Sequence, residues 1–225
     1  MDALTKRALR GTFSFHLALA ALIFGSALSV RFWQGWLFWF VFLACSLTIT
    51  LYFLRHDRAL IERRLKAGPA AEREETQKLI LWFAVVAVVA AFVVPGLDHH
   101  FGWSSVPVPV VFAGDVLVIL GYGICFLVFR ENSFESAIVE VGPDQRVVTT
   151  GPYAIVRHPM YSGALLIFFG SPLALGSWWG LVTGVVLTGV IVWRLLDEER
   201  YLERNLPGYV EYEQQVRSRL VSGVW

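Results

Sequence analysis

Cysteine is scarce in this chain, with Cys45 and Cys125 the only two in 225 residues. Both fall inside apolar runs, so neither a disulfide framework nor a zinc site is expected, and both read as packing residues. Charge is scarce as well: 16% of residues are charged, and 19 cations against 18 anions leave a formal net charge of +1. No metal and no nucleic-acid partner are expected. No Gly-x-Gly-x-x-Gly follows a strand-like run, which argues against a soluble-type dinucleotide fold. The first apolar run is longer than a signal core and no small-residue cleavage site follows it, so it is expected to remain as a helix.

Apolar length is what the chain has in abundance. Hydrophobic residues make up 56% of it and its mean hydropathy is +0.58, outside the range of an ordinary soluble domain. Apolar runs at 12–30, 35–54, 79–97 and 108–129 are each about 20 residues, enough to cross a hydrocarbon core of about 30 Å as helices. A further apolar hairpin follows, with arms at 162–176 and 178–196 and a turn around Ser177. The expected fold is an all-α integral membrane protein of about six transmembrane helices, ending in a C-terminal helical hairpin and a cytoplasmic cofactor module. The fifth segment is short enough to be tilted, thinned around or partly re-entrant.

The near-neutral total hides an asymmetry. Cations crowd the segment before the first run, the 55–78 loop, the 130–158 stretch and the tail, whereas Arg31 alone falls on the opposite side. By the positive-inside rule both termini and the stretch around Arg157 face the cytoplasm.

Residues 1–129 read as a transmembrane scaffold without internal repeat. His16 and Asp115 are its polar exceptions, and such groups within membranes often mark function. The 55–78 loop reads as a short surface helix facing anionic lipid, broken at Gly68-Pro69. Asp98, His99 and His100 are adjacent in sequence and rarely converge on one ion, so they are not read as a metal site.

Polarity concentrates in residues 130–225. A turn at Gly142-Pro143-Asp144 between β-favouring runs at 137–141 and 146–150 predicts a small hairpin, which leads into GPYAIVRHPMYSG at 151–163. Gly151-Pro152 makes a tight turn, and Pro159 suits the first helical position. His158 therefore stands at a helix entrance that favours an anion. Arg157 adds a permanent cation, and Tyr153 and Tyr161 add aromatic faces with hydroxyls. A plain interfacial anchor needs Arg and Tyr but not both the Gly-Pro turn and the His-Pro start.

The other end of the hairpin carries Arg194, Asp197, Glu198, Glu199 and Arg200. Helical spacing puts Arg194 and Glu198 on one face, with Glu199 about 100° away. A hairpin brings its ends together, so these carboxylates approach Arg157 and His158. The result is either a zwitterionic pocket or a charge-rich exit with an Arg157 ion pair to Glu198 or Glu199. Beyond a break at Pro207-Gly208 the tail reads as a charged, Tyr-rich helix.

The second half, from about 130 to 225, resembles the isoprenylcysteine carboxyl methyltransferase and phospholipid methyltransferase family of membrane enzymes. The likeness rests on the 151–163 motif, the hairpin, and DEERYLERNLPGYVEYEQQVRSRL, in that order. Pro207-Gly208 stands where many members have Phe-Gly, and Ser222 stands near a common proline. The resemblance implies S-adenosylmethionine bound by this C-terminal module. It assigns Gly151, Tyr153, Arg157, His158, Tyr161 and Gly163 to the cofactor motif, and Glu198 and Glu199 to its acidic pair. His158 and Tyr161 would contact the cofactor, Glu198 or Glu199 its amino group, and Arg157 either its carboxylate or an acidic acceptor. A carboxylate or thiolate acceptor needs no base, whereas an amine needs Glu198, Glu199 or His158 to take its proton. The expected activity is methylation of a lipophilic acceptor entering from the bilayer, with carboxyl O-methylation favoured. An NADPH-dependent sterol-type reductase and a non-catalytic membrane assembly protein are the alternatives.

Overall fold

The protein is all-helical in a computed structural model that describes residues 2–65, 70, 72, 74–135, 141 and 145–225. The helices are α1 (Ala3–Ala27), α2 (Trp33–His56), α3 (Arg58–Arg64), α4 (Glu75–Phe101), α5 (Val108–Glu131), α6 (Pro159–Ala174), α7 (Gly180–Asn205) and α8 (Tyr209–Gln215), with a 3₁₀ turn at Gly151–Ala154. Among the described residues, α1, α2, α4, α5 and α7 are long and apolar enough to cross a membrane. The chain is an integral, multi-pass membrane protein. Its outer faces carry large apolar side chains such as Phe40, Trp82, Val86 and Leu120, while Leu19, Ile23, Phe38 and Val118 fill the interior.

The fifth apolar run, expected to be short, is α6. Its 16 residues extend about 24 Å at 1.5 Å per residue, less than the hydrocarbon thickness of about 30 Å. Its partner α7 has 26 residues, so its last turns pass the start of α6. Counted back and forward from the turn at 175–179, His158 and Glu199 come to the same level.

Two glycine pairs let α5 and α6 touch backbone to backbone. A Cβ on Gly163 would lie 2.8 Å from the Gly121 carbonyl oxygen, and one on Gly170 2.8 Å from that of Gly114. In lipid, where apolar burial does not drive helix association, such close approach supplies the contact energy. At the far end of the bundle Asp98 accepts from the Ser104 N–H (2.7 Å), the Ser104 hydroxyl (2.6 Å) and the Ser177 hydroxyl (2.5 Å), tying α4 to the α6–α7 turn. Asp98 thus serves as a structural acceptor, and His99 stacks on Phe32 with ring centroids 4.1 Å apart. Within the scaffold, His16 Nε2 lies 2.7 Å from the Ser46 hydroxyl, and Asp115 is buried on α5.

The surface helix expected in the 55–78 loop is α3, capped by Asp57, which accepts from the Leu60 N–H at 3.0 Å. The Gly68-Pro69 break lies outside the described residues. So do the Gly142-Pro143-Asp144 turn and most of the first β-favouring run. The second run, 146–150, is not a strand: β-propensity marks side chains that fit a pleated surface, and these residues have no described partner edge. The tail helix is shorter than expected. It stops at Gln215 because residues 216–220 unwind to supply acceptors to the motif.

Candidate active site

The motif's own backbone creates the demand that the tail meets. His158 precedes Pro159 and is held out of the helix at φ −121°, ψ 61°, as a residue before proline must be. The N–H groups of Arg157 and His158 therefore point away from α6 in a buried place, where an unpaired donor is costly. Ser218 and Arg219 carbonyls accept them, each at 2.9 Å, and the Ser162 hydroxyl donates to the Leu220 carbonyl at 2.6 Å. Tyr212 donates to the Tyr153 carbonyl at 2.7 Å and so pins α8 to the 3₁₀ turn.

Glu199 stands at the centre of the charges, with 3% of its surface exposed. Its Oε1 accepts from Arg157 Nε and a terminal guanidinium nitrogen, both at 2.8 Å, and from His158 Nε2 at 3.1 Å. Its Oε2 accepts from Arg219 Nε at 2.8 Å. A carboxylate only accepts, so His158 carries a proton on Nε2. Arg157 also lies 3.6 Å from Glu213. Two guanidiniums thus face two carboxylates, and the cluster is neutral when His158 is neutral. Burial pushes the Glu213 carboxyl up, against the pull of Arg157.

Glu198 is treated differently. Its Oε2 accepts from the Tyr161 hydroxyl at 2.5 Å, and that hydroxyl in turn accepts from Arg194 Nε at 2.8 Å. The expected pairing of Arg194 with Glu198 therefore runs through Tyr161. The His158 and Tyr161 rings stack with centroids 5.6 Å apart.

Tyr153, Arg157, His158, Tyr161 and Glu198 line one cavity of about 100 Å³. Glu135 and Asn132 join them there with apolar Met160, Leu202, Leu206 and Tyr209. Glu135 was not singled out from the sequence, because one carboxylate in a polar loop carries no spacing signal. The Tyr153 hydroxyl donates to it at 3.0 Å, and Asn132 at 3.3 Å. Burial raises the Glu135 carboxyl, and the charge of Glu198 raises it further. Burial likewise lifts the Tyr153 phenol well above its usual range, with Glu135 adding to it.

Gly151, Gly163 and Glu199 do not line that cavity. Gly151 sits at φ +58°, which favours glycine, and a Cβ there would meet Glu131 at 2.9 Å. Gly163 is the α5 contact already described. Gly151 instead borders a second cavity of about 650 Å³, largely apolar, walled by Ile124, Leu127, Ile155, Val156 and Leu220 with Arg130 and Ser162. Pro159 lines both.

A profile of the phospholipid methyltransferase family matches residues 109–207, from the start of α5 to the end of α7. The chain is also 29% identical over 148 residues to Protein-S-isoprenylcysteine O-methyltransferase B of Arabidopsis thaliana, covering 62% of this chain and 71% of that relative. The comparisons support an enzyme that transfers methyl groups within a membrane. They support neither the sterol-type reductase nor the assembly-protein reading.

Proposed function

We propose, for a chain similar to the phospholipid methyltransferase family over residues 109–207 and to an isoprenylcysteine O-methyltransferase, that it carries a methyl group from S-adenosylmethionine to the carboxylate of a lipophilic, prenylcysteine-like acceptor. The observation that carries this reading is the seam at Pro159, with a small polar cavity on one side and a large apolar one on the other.

The donor set of the polar cavity suits the methionine end of S-adenosylmethionine. Glu198 offers a carboxylate to its ammonium, Arg157 offers positive charge to its carboxylate, and Met160, Leu202 and Leu206 offer apolar surface. A volume of about 100 Å³, smaller than the roughly 150 Å³ that admits benzene, suits the amino-acid end, with the rest of the molecule outside it. The bound donor supplies a methyl on a sulfonium, an electrophile needing no further activation.

The remaining work falls to the chain's own residues. Glu199 holds Arg157, His158 and Arg219 in one arrangement, so His158 and Tyr161 present fixed faces to the cavity. His158 Nε2 is committed as a donor to Glu199, and a carboxylate acceptor asks for no base. The apolar cavity lies within the roughly 300–1,000 Å³ usual for ligand sites. Arg130 and Glu131 put one charge of each sign on its wall, and Arg130 suits an acceptor with an anionic end. Alignment of the two reactants in a water-poor seam is then the main source of rate. Residues 130–225 form the donor-binding module on the 1–129 scaffold, and the basic loops put the termini and the site in the cytoplasm.

The test is transfer of labelled methyl from S-adenosylmethionine by the purified, reconstituted protein to an N-acetyl-S-farnesylcysteine probe and, separately, to phosphatidylethanolamine vesicles. The expected product is a farnesylcysteine ester that releases labelled methanol in base. Label retained on a lipid amine after base treatment sinks the carboxyl assignment.

A further inference from the structure

The two neighbouring acids of α7 receive opposite treatment. Glu199 is neutralised by direct contact with Arg157 and Arg219. Among the described residues, the hydrogen bond on Glu198 comes from a neutral phenol. Arg194 lies four residues before Glu198, on the same helix face, where a long guanidinium stem ordinarily pairs with the carboxylate directly. Here the Tyr161 hydroxyl stands between them.

The chemistry of the three groups sets the direction of the chain. A guanidinium has five N–H donors and no acceptor, so Arg194 Nε donates to the Tyr161 oxygen. The phenol has one proton, and with its oxygen committed to Arg194 that proton goes to Glu198 Oε2. The effect is to orient Glu198 through a neutral phenol and not through a direct ion pair. A direct ion pair would spend the charge of Glu198 on Arg194. The relay leaves it for a cation in the cavity that Glu198 and Tyr161 both line.

Arg194 is itself held from the scaffold. Gln77, 1% exposed near the start of α4, donates through Nε2 to the Arg194 carbonyl at 3.2 Å and to Asp197 Oδ2 at 2.8 Å. The turn of α7 that carries the relay is thus braced by the half of the chain that reads as mere support.

We propose that Arg194 is a positioning residue for donor binding, acting through Tyr161 to aim Glu198 at the donor's ammonium. This rests on the reading above, that Glu198 receives that group. The experiment is calorimetric titration with S-adenosylhomocysteine, with steady-state kinetics on S-adenosylmethionine, for wild type, Arg194→Met, Arg194→Lys, Tyr161→Phe and Arg194→Met/Tyr161→Phe.

Expected is a roughly tenfold weaker affinity for Arg194→Met, the size of one lost hydrogen bond to a charged group. Tyr161→Phe loses about as much, the double variant loses no more than either single one, and Arg194→Lys recovers part. The loss falls on KM, with kcat little changed. Arg194→Met binding as wild type does, losses that add in the double variant, or a fall confined to kcat would overturn the proposal. If Arg194→Met does not fold, Tyr161→Phe carries the test, since it cuts the relay with Arg194 in place, and wild-type affinity in it is equally fatal. Failure of wild type itself to bind S-adenosylhomocysteine overturns the donor assignment and this inference with it.

Discussion

Arg157 and Glu199, 42 residues apart in sequence, meet in a two-point contact, with two of the three guanidinium nitrogens 2.8 Å from the same carboxylate oxygen. The contact closes the α6–α7 hairpin at its open end, just where α6 stops and α7 continues. A buried charge that loses its partner costs about 3–5 kcal/mol. Removing Glu199 leaves Arg157 with Glu213 at 3.6 Å and the Val216 and Arg217 carbonyls, and it removes the carboxylate that Arg219 contacts.

Glu199→Ala is therefore expected to destabilise the fold by about 3–5 kcal/mol, read as a lower unfolding midpoint in detergent. Glu198→Ala should move that midpoint far less and instead weaken S-adenosylhomocysteine binding by tenfold or more. If the two variants exchange these effects, the roles given to the two acids are wrong.

Gly163→Leu drives a side chain into the Gly121 carbonyl, 2.8 Å from the position its Cβ would take. Overpacking of this kind costs about 1–3 kcal/mol or more, and it shifts the start of α6 with the motif on it. Gly123, two residues beyond Gly121 on α5, meets nothing within 4 Å, so Gly123→Leu is the matched control with little change in stability. Thermal unfolding and methyl transfer, measured together on both, test this.

Residues 216–220 lie beyond the family match, which ends at residue 207, yet they accept from Arg157 and His158 and bring Arg219 to Glu199. A chain ending at Gln215 should lose amide-exchange protection at Arg157 and His158 and bind the donor poorly. Retained protection at both amides would show that the strap is dispensable.

Glu135 has a carboxyl raised above its ordinary value of 4.5, by burial first and by Glu198 second. A raised acid binds more protons folded than unfolded between those two values, so its contribution to stability grows as pH falls through the folded pKa. Glu135→Gln removes the penalty paid by the ionised form at neutral pH. Its stability gain over wild type should be largest near pH 8 and shrink toward pH 5, as followed by unfolding midpoints over that range. A gain that grows on acidification contradicts the assigned shift.

Much of this is legible in the sequence. Runs of about 20 apolar residues place the spans, and counting helix residues from Ser177 brings Arg157 and His158 level with the acids of α7. Three things were not legible. The choice between Glu198 and Glu199 as the partner of Arg157 depends on the rotation of α7 about its axis. That phase is set by Leu187, Leu195 and the approach of Gly184 to Phe169. The residues of the strap suit a continuing helix, and the N–H groups that draw it out belong to a motif about 60 residues earlier. Glu135 and Gln77 carry no spacing signal at all.

The sequence by itself determined the membrane class, the number of long apolar segments and the two polar groups that the hairpin must bring together, because hydropathy and helix geometry act locally along the chain. Only the tertiary structure decided which acid is paired with guanidiniums and which meets a phenol at the cavity, because that depends on helix rotation and on donors arriving from Arg194, Arg219 and Gln77, contacts set by packing rather than by neighbours in sequence.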